Sequence, residues 1–338
     1  MAMTKPDDQE VTAIDVGPAF AGDPDARQAT AALISDACED IGFLILENHG
    51  MTRELLDRYF TETRAFYDLP QDQKDRFHPT GPAKQRGYHG YETRGLAYTM
   101  DEAAPRDLRE SVFLGPVDDH RDYFAHIPEA TTAYAPNLIP DRPGKLDQTL
   151  IEVYRSFEQT AANLLELFAL ALELPETYFA DKIDRHFSIM GCHHYPPLPK
   201  PPLPGQLRTG AHTDFGAMTL LAVDDAPGGY EAQFEDGRWV PVFPRPGQLV
   251  VNLGDMMERW TNDRWHSTMH RVVNPPNIGG ADTRRQSLGY FMHPNFDTEV
   301  ACISSCLAPG EKPKYPTITA GEHIALKIAK SHNGAKSE

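Results

Sequence analysis

Cysteine is scarce in this chain, which has four among 338 residues. Four scattered cysteines are too few for a disulfide framework, and this scarcity predicts a protein of a reducing compartment, the cytoplasm. Cys302 and Cys306 lie close together, but no second pair completes a zinc site. We interpret them as ordinary thiols.

Positive charge and long apolar runs are also lacking. Lys and Arg number 32 against 49 Asp and Glu, which gives a formal net charge of −17. Nucleic-acid binding draws its affinity from clustered basic side chains, so a nucleic-acid partner is not expected. No apolar run approaches the roughly 20 residues that cross a membrane, and the first residues lack the pattern of a secretion signal. We expect one compact unit that contacts neither a membrane nor nucleic acid.

The first part of the chain carries helical patterns. Ala29, Leu33, Ala37 and Ile41 recur every four residues, which predicts an amphipathic helix that ends at Gly42.

A buried strand is predicted over 43–46, and Thr52 is placed to cap a second helix. Residues 71–105 are polar and rich in glycine, which favours a loop near the site. The longest helical pattern runs over 146–174.

The texture changes after Phe187 to short β-type segments separated by turn residues, which is typical of a sandwich or jelly roll. Thr319 and Glu322 form a capping-box pair that predicts a closing helix. The predicted strands cover 219–223, 229–234, 239–243, 248–253, 270–273 and 287–292. The predicted parts of the single unit are an N-terminal helix and strand module (10–125), a helical support (126–185), a jelly-roll core (186–300) and a C-terminal segment with a helix (301–338).

His212 and Asp214 are two residues apart. On a strand, such residues point to the same face, so they can present an imidazole and a carboxylate to one ion. The third ligand is predicted to be His270, at the head of an apolar strand, and His266 in a polar stretch is the competitor. Two imidazoles and one carboxylate leave coordination positions open, which suits a redox iron that binds a co-substrate and dioxygen.

Arg285 and Ser287 follow the same alternation, with Gln286 on the opposite face. An arginine fork and a hydroxyl together can hold a carboxylate. A structural salt bridge is the other interpretation of this triplet taken alone.

Together these motifs resemble a known family, the non-haem iron, 2-oxoglutarate-dependent oxygenases of the isopenicillin N synthase-like branch. The resemblance extends from about Phe43 to Phe291. It rests on segments that follow the order of the family: Gly42-Phe43, Asn48-His49-Gly50, Asp107-Leu108-Arg109-Glu110-Ser111, Tyr195-Pro196-Pro197, Gly210-Ala211-His212-Thr213-Asp214, Thr219-Leu220-Leu221, Gly254-Asp255, Thr261-Asn262, His270-Arg271-Val272 and Arg285-Gln286-Ser287.

The resemblance implies a mainly β fold with flanking helices around a double-stranded β-helix core, a jelly roll of the cupin-like kind. It implies that Fe(II) is held by His212, Asp214 and His270. The co-substrate 2-oxoglutarate would chelate the iron and place its far carboxylate at Arg285, Ser287 and Tyr195. With O2, such enzymes oxidise a small molecule by hydroxylation, desaturation or ring formation and release succinate and CO2.

One residue departs from the family pattern. His193 stands where the family often has an asparagine, two residues before the tyrosine. The departure concerns the hydrogen bonding around the co-substrate and leaves the metal triad unaffected.

Substrate contacts are predicted from proximity to these motifs, although each residue could equally pack in a core. Arg109 could offer a charge to an acidic substrate, or be paired within the protein. The predicted pocket residues are Phe113, Met190, His194, Phe215, Phe291 and His293.

Other functions stay open at this point. An oxidase of the same fold could use Arg285 and Ser287 for a carboxylate of its substrate and need no 2-oxoglutarate. A zinc hydrolase could use the same three metal ligands. A non-catalytic jelly-roll binding module would make all these matches accidental.

Overall fold

The computed structural model describes residues 11–81, 85–95, 105–198, 200–226, 229–276 and 283–333. Its helices lie outside the sheets. They are α1 (Gly17–Phe20), α2 (Pro24–Asp40), α3 (Arg53–Tyr67), α4 (Gln71–Lys74), α5 (Leu146–Ala171), α6 (Ala180–Ile183), α7 (Asp255–Trp260) and α8 (Ala320–Asn333).

The strands are short, and most of them follow Phe187. They are β1 (Ala13–Asp15), β2 (Phe43–Glu47), β3 (Gly87–His89), β4 (Glu110–Leu114), β5 (Ile189–Tyr195), β6 (Thr209–His212), β7 (Met218–Val223), β8 (Tyr230–Gln233), β9 (Trp239–Pro241), β10 (Leu249–Leu253), β11 (His270–Val272), β12 (Arg285–Met292), β13 (Glu299–Val300) and β14 (Ile318–Thr319).

Two sheets face each other. The major sheet has eight strands in the order β1-β2-β10-β7-β12-β5-β4-β3, and the minor sheet has the order β6-β11-β8-β9. Apolar side chains of both sheets, among them Phe43, Leu221, Tyr230 and Val272, form a core between them. This is the predicted jelly roll with flanking helices.

Each strand of the major sheet has two different faces. In β12, Arg285, Ser287 and Phe291 face the minor sheet, whereas Leu288 and Tyr290 belong to the larger core on the other side. Helices α2, α3 and α5 contribute buried side chains to that larger core. We call these the inner face and the outer face of the major sheet.

Several sequence predictions are confirmed. Thr52 caps α3, because its Oγ1 accepts a hydrogen bond from Leu55 N at 3.2 Å. Thr319 and Glu322 form both hydrogen bonds of a capping box at the start of α8. The long helical pattern is α5, and each predicted strand after Phe187 overlaps an observed one.

The apolar face predicted for α2 is wrong in part, because Ala37 and Ile41 are buried but Ala29 and Leu33 are exposed. Leu33 is 49% exposed, whereas Ile34 and Cys38 are fully buried. A spacing of exactly four residues drifts around a helix of 3.6 residues per turn, so only part of the predicted series lies on the buried side.

The loop predicted over 71–105 is also wrong in part, because α4 and β3 lie within it and β3 extends the major sheet. Residues 82–84 and 96–104 of that prediction lie outside the described residues. Strand β4, which pairs with β3 and β5, was not predicted either.

The division of the chain into parts stays a prediction. In the described structure, β1 and β2 from the N-terminal part belong to the same sheet as β5, β7, β10 and β12. Among the described residues, no helix has both the length and the apolar character that crossing a membrane requires.

Candidate active site

Three buried side chains meet between the two sheets. His212 ends β6, Asp214 follows in the next turn, and His270 begins β11 directly opposite His212. The Nε2 atoms of His212 and His270 lie 3.6 Å and 3.7 Å from Asp214 Oδ1. These distances are too long for hydrogen bonds, and they allow one ion to bind all three atoms.

Both imidazoles are oriented by the main chain. His212 Nδ1 lies 2.8 Å from the carbonyl of Gly210, and His270 Nδ1 lies 3.0 Å from that of Thr268. A proton on each Nδ1 is thereby satisfied, which leaves each Nε2 lone pair for a metal. Burial and the neighbouring His270 lower the pKa of His212, so its neutral, metal-binding form is favoured.

Asp214 is held ionised. Burial raises its pKa, but His270, His212 and the hydrogen bonds from Asn252 and Thr219 outweigh burial and leave the pKa below its ordinary value. A carboxylate and two imidazoles form a donor set that suits a divalent iron. Among the described residues, these three form the one group of His, Cys, Asp and Glu that could hold an ion, and the competitor His266 is not part of it.

The carboxylate-binding residues lie beside this group on the inner face. Arg285 pairs with Tyr195 across β12 and β5, and the Tyr195 hydroxyl lies 3.4 Å from Ser287 Oγ. Arg285 Nη1 is buried without a hydrogen-bond partner. A buried guanidinium nitrogen without a partner is costly unless a ligand supplies an acceptor, so the site suits an anion.

Tyr195 shows the positive field of this region. Burial raises its pKa, but Arg109 and Arg285 outweigh burial, so the pKa lies below its ordinary value. The positive charge that lowers this pKa also favours a bound carboxylate.

His193 and Arg109 form a polar wall on the same face. His193 Nδ1 lies 2.8 Å from Ser111 Oγ and 3.3 Å from Arg109 Nη1. Arg109 also forms an ion pair with the buried Asp107 at 3.2 Å. Burial and the neighbouring arginines hold the pKa of His193 well below its ordinary value, so it is neutral. His193, which replaces the asparagine common in the family, therefore bonds Ser111 and Arg109 within the protein.

Comparison with known proteins agrees with this geometry. The model of the 2OG-Fe(II) oxygenase superfamily matches residues 186–294, and that of the N-terminal region of non-haem dioxygenases in morphine synthesis matches residues 11–142. A 2-oxoglutarate-Fe(II) type oxidoreductase of Emericella nidulans is 30% identical over 96% of this chain and 91% of its own length. The chain belongs to the 2OG-Fe(II) oxygenase superfamily. It is therefore an enzyme that uses iron, 2-oxoglutarate and O2 to oxidise small molecules.

Two further relatives of this oxygenase show the same breadth of similarity. A proline hydroxylase of Petromyces alliaceus is 30% identical over 91% of this chain and 95% of its own. The crystal structure of a full-length Neurospora crassa protein in complex with alpha-KG has a TM-score of 0.82 and 27% identity, covering 96% of this chain and 98% of that one. Another structure of the same Neurospora crassa protein also contains thymine.

The structure places the predicted pocket residues of this oxygenase in different regions. Phe291 lines the cavity at the metal ligands. Phe113 lies behind the lining, with its ring 5.6 Å from that of His193.

The other four lie outside the lining. Met190 packs in the core of the outer face, and His194 hydrogen-bonds Glu110 there. Phe215 offers its carbonyl to His323, and the ring of His293 packs against that of Phe187. His293 nevertheless interacts electrostatically with the cavity residue Asp214.

Some residues at the site were not found from the sequence. Thr219 and Asn252 bind Asp214, and Tyr230 lines the cavity beside His270. Asn252 does carry a signal, because it is the one polar residue in the apolar strand β10. A polar side chain at such a position needs a buried partner.

A second, larger cleft of about 540 Å³ lies away from these residues, between α3 and the turn after β7. Two of its arginines are paired with its own acids, Arg53 with Asp57 and Arg64 with Asp224, and a third, Arg284, is paired with Asp68. The metal ligands, and not the size of the cleft, therefore locate the chemistry of this oxygenase.

Proposed function

We propose that this oxygenase binds Fe(II) through His212, Asp214 and His270, and the far carboxylate of 2-oxoglutarate through Arg285, Ser287 and Tyr195. The observation that carries the proposal is the unpaired Arg285 Nη1, buried in the same cavity as the three metal-binding atoms. A zinc hydrolase would leave this arginine without a task.

Each of these residues has a definite part in the reaction. Iron and 2-oxoglutarate together supply the oxidant, with release of succinate and CO2. The two histidines offer their Nε2 atoms, and Asp214 supplies the negative charge that holds a divalent ion. Arg285 and Ser287 fix the co-substrate at a distance from the reacting carbon. Leu221, Val272 and Phe291 provide apolar walls that exclude water.

The proposed reaction is hydroxylation of a small molecule. Its support is the similarity to a proline hydroxylase and to a Neurospora crassa structure that contains thymine. The net charge of −17 argues against a nucleic-acid substrate. We keep the cytoplasm as the proposed compartment, since the four cysteines are free thiols.

Binding of 2-oxoglutarate to Co(II)-loaded protein, measured by calorimetry without O2, tests the carboxylate site. Arg285→Ala should weaken binding by about 30-fold or more, because it removes one partner of a buried charge pair. Arg284→Ala is the matched control. Arg284 is the neighbouring arginine, bonded to Asp68 and His194 on the other side of the sheet, and its loss should leave binding within about 3-fold.

Turnover tests the function as a whole. Protein reconstituted with Fe(II) should form succinate from 2-oxoglutarate, at a higher rate when a pool of small metabolites contains a substrate. Oxidation of a metabolite without any consumption of 2-oxoglutarate would favour the oxidase instead. Activity restored by zinc and not by iron would favour the hydrolase.

A further inference from the structure

The two carboxylate oxygens of Asp214 have different partners. Oδ2 accepts hydrogen bonds from Thr219 Oγ1 at 2.5 Å and from Asn252 Nδ2 at 2.7 Å. Oδ1 instead faces the Nε2 atoms of His212 and His270. One oxygen is thus occupied by the protein, and the other points to the metal position.

The two donors are a cross-strand pair. Thr219 on β7 and Asn252 on β10 are directly opposite each other in the major sheet, and both are buried. Asp214 follows β6 of the minor sheet, so the pair reaches from one sheet to the other. The Tyr230 hydroxyl donates a hydrogen bond to Asn252 Oδ1 at 3.4 Å. This bond fixes the orientation of the amide, so that its nitrogen faces Asp214.

The main chain of Asp214 is held by the same segment. Its carbonyl accepts a hydrogen bond from Asp255 N at 2.8 Å. A Cβ added at Gly254 would lie 2.9 Å from that carbonyl oxygen and 2.3 Å from the carbonyl oxygen of Gly216, so only glycine allows this approach. Residues 252–255 therefore fix both the backbone and the side chain of one metal ligand.

We propose that Thr219 and Asn252 are positioning residues that reserve Oδ2 and so make Asp214 a ligand through one oxygen only. A carboxylate that bound through both oxygens would take a further coordination position, and 2-oxoglutarate and O2 need the three that the triad leaves. The pair thereby keeps the metal open for its co-substrates. This inference rests on the proposed metal triad.

The test is anaerobic titration with Co(II), whose visible spectrum reports coordination number, followed by calorimetric titration with 2-oxoglutarate. Thr219→Val and Asn252→Leu remove a donor with little change of volume. Each should weaken Co(II) binding by about 10- to 100-fold, as loss of a partner to a metal ligand typically does. Each should also change the Co(II) spectrum and weaken 2-oxoglutarate binding to the loaded protein.

Two controls separate positioning from general damage. Thr219→Ser keeps the donor and should restore the parental affinity and spectrum. Thr298→Val removes another buried hydroxyl, which bonds the carbonyl of Lys182 away from the cavity, and should leave both unchanged. Far-ultraviolet circular dichroism of each variant shows whether it is folded.

The outcomes distinguish the inference from the function on which it rests. If folded Thr219→Val and Asn252→Leu bind Co(II) with the parental affinity and spectrum, the positioning role is wrong. If Asp214→Ala itself keeps the parental affinity, the proposed metal site is wrong. Loss in Thr219→Val with recovery in Thr219→Ser supports the role proposed for the pair.

Discussion

The two faces of the major sheet each carry a buried polar cluster, and the clusters differ in how they are satisfied. On the outer face, Glu110 accepts hydrogen bonds from Lys74 at 2.8 Å, from His194 at 2.7 Å and from Tyr88. Arg284 donates in turn to the second nitrogen of His194. We call Lys74, Tyr88, Glu110 and His194 the outer cluster, and every one of them has a partner in the chain.

The cluster on the inner face has an incomplete set of partners. Arg285 Nη1 has no hydrogen bond, and the Nε2 atoms of His212 and His270 face Asp214 at distances beyond hydrogen bonding. Buried charges with a full set of partners stabilise the fold, whereas those on the inner face require a ligand. Arg284 and Arg285 are neighbours in sequence, but Arg284 is bonded within the protein and Arg285 Nη1 is not. They differ because successive residues of an extended chain point to opposite faces.

Asp214→Ala should have the largest effect, on the inner face. Metal binding should weaken by more than about 100-fold, because a ligand is lost and not only a partner of a ligand. The free energy of unfolding of the metal-free protein should change little, since water can enter the cavity in place of the carboxylate. Metal titration and urea unfolding measure the two quantities. If Asp214→Ala lost much stability but kept its metal binding, the inner face would be structural, like the outer face.

Glu110→Gln, on the outer face, should lower the stability of the fold and leave ligand binding nearly unchanged. It leaves Lys74 buried without its acid, and breaking such a pair costs about 3–5 kcal/mol of the free energy of unfolding. Calorimetric 2-oxoglutarate affinity of the folded variant should stay near that of the parent. Adding Lys74→Met should recover part of the stability, and failure to recover any would show that the pair is not the cause.

Acid should disturb the two faces unequally. Burial, with Arg94 and His78, lowers the pKa of His89 on the inner face to about 3. Burial also lowers the pKa of His194, but Glu110 opposes this effect. A depressed histidine pKa favours the folded state above pH 6.5, and that contribution is lost as the pH falls towards the folded pKa, by at most about 1.4 kcal/mol per pH unit.

Urea unfolding of metal-free protein between pH 7 and pH 4 measures this effect. His89→Gln should flatten the pH dependence of the free energy of unfolding more than His194→Gln does. If the free energy of unfolding depended on pH equally in the two variants, the proposed difference between the two faces would be contradicted.

Thr52→Ala should have the smallest effect, in a helix that covers the outer face. It removes the cap of α3 and should lower the free energy of unfolding by about 1 kcal/mol without altering metal affinity. Thr61→Ala, in the same helix but exposed and bonded to the carbonyl of Asp57, is the control. A comparable loss in both variants would show that capping is not the cause.

The inner face could largely be predicted from the sequence, and the outer cluster could not. His212 and Asp214, like Arg285 and Ser287, are two apart on extended chain, so their shared direction follows from local geometry. The partners of Glu110 come from α4, β3 and β5, and no local spacing brings these segments together. β4 could not be predicted from the sequence either, because the buried polar side chains of Glu110 and Ser111 break the apolar pattern of a strand.

The hydrogen bond between His323 and the carbonyl of Phe215 joins residues 108 positions apart, at 3.1 Å. Phe215 directly follows Asp214, and α8, which carries His323, also pairs Lys327 with Asp255. The turn that presents the carboxylate is thus completed by residues that are synthesised long after it. During translation this turn lacks its final support until α8 has emerged and docked, so we expect stable iron loading only after α8 has docked.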